Sequence, residues 1–141
     1  MKKHITAFYI ETLVLIVVFV SIILVLTHVF GLARTQSVEA KVLTNAVCVA
    51  QNAAEAFSAS EGPEELASLL DEGGNTAVFD QTVNARYNLD MTPSPEGILS
   101  LTVTYQTSGP LLESDISVVR LDTEETVYAL ETAVFRGEAA P

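Results

Sequence analysis

From Thr12 to Ala33 the chain carries no Asp, Glu, Lys or Arg, and apolar residues fill nearly every position. Apolarity without a polar face and without a period of two predicts a helix meeting nonaqueous surroundings on all sides. At about 1.5 Å per residue, roughly 22 residues cover about 33 Å, enough to cross a bilayer core. The run does not end in a loop. It passes through Gly31 and Arg34 into Gln36–Phe57, where apolar residues recur at spacings of three and four. Leu43, Ala46, Val47, Ala50, Ala54 and Phe57 are read as the packing face of this extension. Its alanine content favours helix, and its small side chains allow close approach of a sheet or a second helix. A helix from about Phe8 to about Ser58 is roughly 75 Å long. Cys48, between Val47 and Val49, reads as a small buried hydrophobe.

The period changes after Ser60-Glu61-Gly62-Pro63. Pro63 suits the first turn of a short helix, and Glu64 and Glu65 suit its positive end. Gly73-Gly74 is read as its stop. The remainder reads as strand. Thr76–Phe79 is short. Arg86–Met91 alternates, with Tyr87, Leu89 and Met91 on one side. Leu99, Leu101, Val103 and Tyr105 alternate with Ser100, Thr102 and Thr104 in the cleanest strand pattern of the chain. Pro93–Gly97 is the turn before it. Ile116–Leu121 and Thr126–Phe135 form a further pair joined by Asp122–Glu125. The expected fold is α+β: a long N-terminal helix, membrane-spanning and then amphipathic, packed on a C-terminal antiparallel meander. The expected division is a leader at 1–6, a transmembrane helix at 7–33 and an amphipathic extension at 34–59. A short helix and linker at 60–74, the sheet at 75–136 and a frayed tail at 137–141 complete it.

Charge sharpens this picture. The 141 residues carry a formal net charge of −11. Seventeen of the 18 acids but only four of the seven Lys and Arg residues follow Arg34, a balance of −13. Such a surface repels nucleic acid and anionic lipid headgroups, so no nucleic-acid contact is expected from the acidic domain. Lys2 and Lys3 precede the apolar run. The positive-inside rule then places the N-terminus in the cytoplasm and the acidic domain outside, in a single-pass cell-membrane protein. One cysteine excludes an intramolecular disulfide.

Three readings of the apolar segment compete. Gly31-Leu32-Ala33 fits a signal-peptidase site loosely, but the run exceeds the usual apolar core of a signal peptide. A plain anchor is the simplest alternative. The third reading is an assembly helix, and it turns on Glu11. An acid inside a membrane segment costs about 2.5–3.5 kcal/mol on translocon scales and is characteristically functional. Against this, Glu11 lies only eight residues beyond Lys3, where an interfacial carboxylate snorkels to water.

The segment Ala7-Phe8-Tyr9-Ile10-Glu11-Thr12-Leu13-Val14 resembles the mature N-terminus of type IV pilins and pseudopilins. Ala33-Arg34, Leu43–Val47 and Ala50–Phe57 extend the likeness to pilin-like proteins of Firmicutes, over about the first 57 residues. The resemblance implies Thr6-Ala7 as the processing site of a prepilin peptidase and Ala7 as the first mature residue, its amine free or methylated. It implies Glu11 as the family glutamate that meets a neighbour's N-terminal amine. Thr6 stands where the family carries glycine, which marks the chain as divergent. His28, near the far end of the span, reads as interfacial.

Chemistry is otherwise sparse. Both histidines precede residue 30, so neither a triad nor a typical zinc site is expected in the acidic domain. Glu113, Asp115, Asp122, Glu124 and Glu125 match no EF-hand spacing. They read first as a solvated acidic edge and second as a weak calcium site. Neither an enzyme nor a cofactor is expected. The expected function is a structural, minor subunit of a type IV pilus or of the pseudopilus of a type II secretion system. Its expected partners are the membrane, other pilin-like subunits, a prepilin peptidase and an assembly platform. The alternative is a monomeric, membrane-anchored binding module at the cell surface.

Overall fold

The computed structural model describes residues 2–70 and 76–137. A single helix, α1 (Lys2–Ala59), is followed by α2 (Pro63–Leu70) and five strands. The strands are β1 (Thr76–Phe79), β2 (Thr82–Tyr87), β3 (Leu99–Ser108), β4 (Leu111–Arg120) and β5 (Glu125–Phe135). They form one antiparallel sheet in the order β1-β2-β3-β4-β5, the simplest meander. The fold is therefore α+β, with a long apolar N-terminal helix and an antiparallel sheet. The chain divides into two compact units, Met1–Ala40 and Lys41–Pro141, and α1 contributes to both.

In the second unit one core joins α1, α2 and one face of the sheet. Val42, Ala46, Val49, Ala50, Ala53 and Phe57 come from α1, and Leu66, Ala67 and Leu70 from α2. Val83, Ala85 and Tyr87, then Leu99, Leu101, Val103 and Tyr105, then Ile116 and Val118 are the buried sheet positions. Alternation explains the sheet side, because successive side chains point to opposite faces. On the helix side the small residues Ala46, Ala50 and Ala53 are fully buried.

The packing face of α1 is turned from the expected one. Ala46, Ala50 and Phe57 are buried, but Val47 and Ala54 are only half-buried and Leu43 is 46% exposed. Val42, Val49 and Ala53 are buried instead. The apolar pattern admits several adjacent stripes at spacings of three and four, and the sheet selects one. Cys48 is half-buried rather than buried.

Arg86–Met91 also differs from expectation. Only Arg86 and Tyr87 are in a strand, and β2 begins earlier, at Thr82. Asn88–Met91 turns instead: the Met91 N–H donates to Asn88 O at 3.0 Å, and Met91 takes a φ of 68°. Asp90 fixes this turn, its carboxylate accepting from the backbone N–H of Thr92 at 3.1 Å and from the Thr92 hydroxyl. These bonds hold the Asp90 carboxyl below its ordinary range. The alternation of Tyr87, Leu89 and Met91 is thus partly accidental. Gly97 closes the same loop. A Cβ there would lie 2.3 Å from the Tyr87 carbonyl oxygen.

β4 starts five residues before the expected Ile116. Gly109, at a φ of 62°, and Pro110 form the tight turn from β3, with Ser108 opposite Leu111. Positive φ at the first central position suits hairpins closed by primed turns. Ser114 hides this part of the strand from a hydrophobic pattern, since it occupies an inward, buried position. The expected stop at Gly73-Gly74, and all of the expected tail except Gly137, lie outside the described residues.

Candidate functional site

The features expected to carry function lie in the first unit. Every described residue from Lys2 to Lys41 is exposed, including each apolar residue between Ile5 and Val38. This exposure is the reverse of a soluble core helix. It gives a helix long and apolar enough to cross a membrane.

Three hydroxyl side chains within the segment satisfy themselves. The hydroxyls of Thr12, Ser21 and Thr27 donate to the carbonyls of Phe8, Val17 and Ile23, at 2.9, 2.7 and 2.8 Å. Each bond reaches back one turn, so these side chains demand no water and no partner helix. Phe8 and Tyr9 meet edge to face, with ring centroids 6.2 Å apart.

Glu11 has no such arrangement. Its neighbours at one helical turn are Ala7, Phe8, Val14 and Leu15, none of which offers a charge. Lys3 is eight residues away, about 12 Å along the axis. The ion pair found among the described residues is elsewhere, between Arg120 and Asp122. Ala7 and Glu11 share one face at a spacing of four. Ala7's nitrogen is here a peptide nitrogen inside α1, not an amine, and Thr6 bonds through its hydroxyl to Lys2 O at 2.9 Å. At 100° per residue, Glu11 also shares its face with Val18, Ile22, Val25 and Val29. A shallow apolar groove lined by Val17, Val18, Ser21, Ile22, Val25 and Leu26 runs along this side.

The expected packing residues belong to the second unit; Ala46, Ala50 and Phe57 lie in its core and Ala54 packs against it, whereas Leu43 is exposed and Val47 is only half-buried. Sequence reasoning missed the polar fastening at the end of α1. Ser60 Oγ lies 3.0 Å from the Tyr105 hydroxyl, and Arg136 Nη2 donates to Ser60 O. Burial raises the Tyr105 hydroxyl above its ordinary pKa, against the lowering effects of Ser60 and of the Arg136 charge. Asn45 Nδ2 donates to Leu89 O and ties α1 to the loop after β2. No periodicity announces such bonds, because each joins residues more than 40 positions apart.

The acids of the second unit are dispersed. Arg120 clamps Asp122 with two bonds, at 2.7 and 2.9 Å, which lowers the Asp122 carboxyl below its ordinary range. Asp115 and Glu131 face each other across β4 and β5, with Glu113 two residues along from Asp115. Among the described residues no three acid, histidine or cysteine side chains are grouped to hold a metal ion. Compared with protein-family models, curated proteins and solved structures, the chain matches none.

Proposed function

We propose that this chain is a single-span membrane subunit that assembles with like subunits through its N-terminal helix, in the manner of a pilus or pseudopilus component. The observation that carries the reading is Glu11: one carboxylate, without a partner among the described residues, on a helix whose surrounding surface is apolar and exposed. In hydrocarbon, a carboxylate placed this way favours a cationic partner from another chain. The cytoplasmic N-terminus follows from Lys2 and Lys3, and the sheet unit then faces outward. The pilin resemblance supplies the partner, the amine freed at Ala7 by cleavage after Thr6. The role is structural and carries no catalytic chemistry.

Two linked measurements test this. N-terminal sequencing of the membrane-embedded chain should begin at Ala7. A start at Arg34 identifies a signal peptide and ends the subunit reading. Glu11→Gln should insert at least as well as the parent, because a charge leaves the apolar segment. Its assemblies, sized in mild detergent, should collapse towards single chains, because the neighbouring amine is left poorly solvated and unpaired. Assemblies of unchanged size at equal membrane levels contradict the proposed pairing. A parent that is a single chain throughout makes it an anchored binding module instead.

A further inference from the structure

We propose that the open edge of β5 receives an extended segment of a partner protein as a sixth strand, one alternating apolar residues with lysine or arginine. This goes beyond the subunit reading and does not depend on it.

The sheet order ends at β5, and no other described strand pairs with its outer edge. The Arg136 N–H donates to Pro110 O at 3.0 Å, continuing the β4–β5 register. In an antiparallel ladder hydrogen-bonded pairs alternate with non-bonded ones. The even-numbered residues of β5 from Tyr128 onward therefore bond to β4. Ala129, Glu131, Ala133 and Phe135 turn their N–H and C=O groups to the open edge. Natural edge strands are ordinarily shortened, bulged or broken by proline. β5 runs for 11 residues without proline. Its bulge is confined to the start, where Val127 is the extra residue between the pairs Val119–Thr126 and Val118–Tyr128.

The two faces at this edge ask for different side chains. On the core side Tyr128, Leu130 and Val134 are only half-buried and border the core, so apolar residues of an added strand complete their burial. On the other side Asp115 and Glu131 are direct cross-strand partners. By the same alternation they form a non-hydrogen-bonded pair, the closer kind, in which like charges are unfavourable. Asp115 accepts an amide hydrogen bond from Gln106 Nε2 at 3.0 Å. Neither carboxylate has a cationic partner among the described residues. A lysine or arginine beside Glu131 removes this repulsion. A second copy of the chain would bring another Asp115–Glu131 pair instead, so charge complementarity selects a basic partner. Backbone pairing gives such a complex its affinity, and the alternating side chains give it specificity.

The test uses the full chain in detergent micelles and a short peptide alternating valine with lysine. On peptide addition, amide exchange should slow at Glu131 and Ala133, whose N–H groups face the edge. Ala133→Pro removes one such N–H and leaves the β4 ladder whole, because proline is tolerated on an edge strand when its nitrogen faces solvent. It should weaken the peptide about tenfold, the equivalent of one net backbone hydrogen bond. Glu131→Gln should also weaken it, and a valine–glutamate peptide should not bind. Equal binding of a lysine–glycine peptide without amide protection means charge alone and overturns the proposal. So does unchanged affinity in Ala133→Pro. A doubled mass with protected edge amides before any peptide is added identifies a second copy as the occupant and also overturns it. If Ala133→Pro loses its sheet signal in circular dichroism, amide protection in the parent decides alone.

Discussion

Phe57 is fully buried, and its ring meets Tyr105 edge to face at 4.9 Å between centroids. Its removal leaves a cavity at the point where α1 ends. Phe57→Ala should therefore destabilise the second unit by about 3–5 kcal/mol, read from chemical denaturation followed by tyrosine fluorescence. Leu43→Ala, on a side chain nearly half exposed, should change it by at most about 0.5 kcal/mol. Equal losses would restore the packing face read from the sequence. Tyr105 gives a pH prediction. Its hydroxyl titrates above its ordinary value because burial disfavours the phenolate. A folded-state pKa raised above the unfolded one contributes stability that is fully present below about pH 10 and is lost as pH rises through the folded value. Alkaline unfolding of the second unit should begin in that range. Tyr105→Phe should flatten the alkaline loss, at the expense of the Ser60 hydrogen bond at neutral pH. An unchanged alkaline profile in Tyr105→Phe would refute the assignment.

At the scale of elements, both helices and the alternating strand β3 were legible because one physical rule governed each. The apolar run from Thr12 to Ala33 left no other solution, and Leu99 to Tyr105 keeps strict alternation. Elements governed by two rules were read less well. In Arg86–Met91, side-chain alternation competed with the Asp90–Thr92 turn, and the turn's hydrogen bonds won. In β4, Ser114 interrupted the apolar pattern although the backbone ladder continues through it. The stripe of α1 facing the core could not be chosen from its own sequence, since the choice belongs to the sheet. That stripe gives its own prediction. Ala50 is fully buried in the core of the second unit. Ala50→Leu forces the surrounding side chains off their packing and should cost about 1–3 kcal/mol, whereas Val47→Leu should be nearly neutral. Thermal melts of the two variants, compared with the parent, check the difference. A harmless Ala50→Leu would mean that the helix does not lie close.

At the scale of the molecule, the first unit has an apolar exposed surface and the second has an acidic one with its own core. Composition made this division legible: charges nearly vanish from Thr12 to Ala33, and acids dominate after Arg34. The candidate site was legible in one respect, the isolated Glu11. The open edge of β5 was not, because an edge depends on strand order and no local pattern reports it. The central claim is that Glu11's face of α1 meets a neighbouring subunit within the membrane. The most direct measurement is disulfide cross-linking of single cysteines placed along α1 in a Cys48→Ala background. Cysteines at Val18, Ile22, Val25 and Val29, on the Glu11 face, should cross-link efficiently, and those at Val20 and Leu24, on the opposite face, poorly. Adding Glu11→Gln should abolish the difference. No cross-linking at any position, or equal yields on both faces regardless of Glu11, would contradict the account and leave α1 a plain anchor.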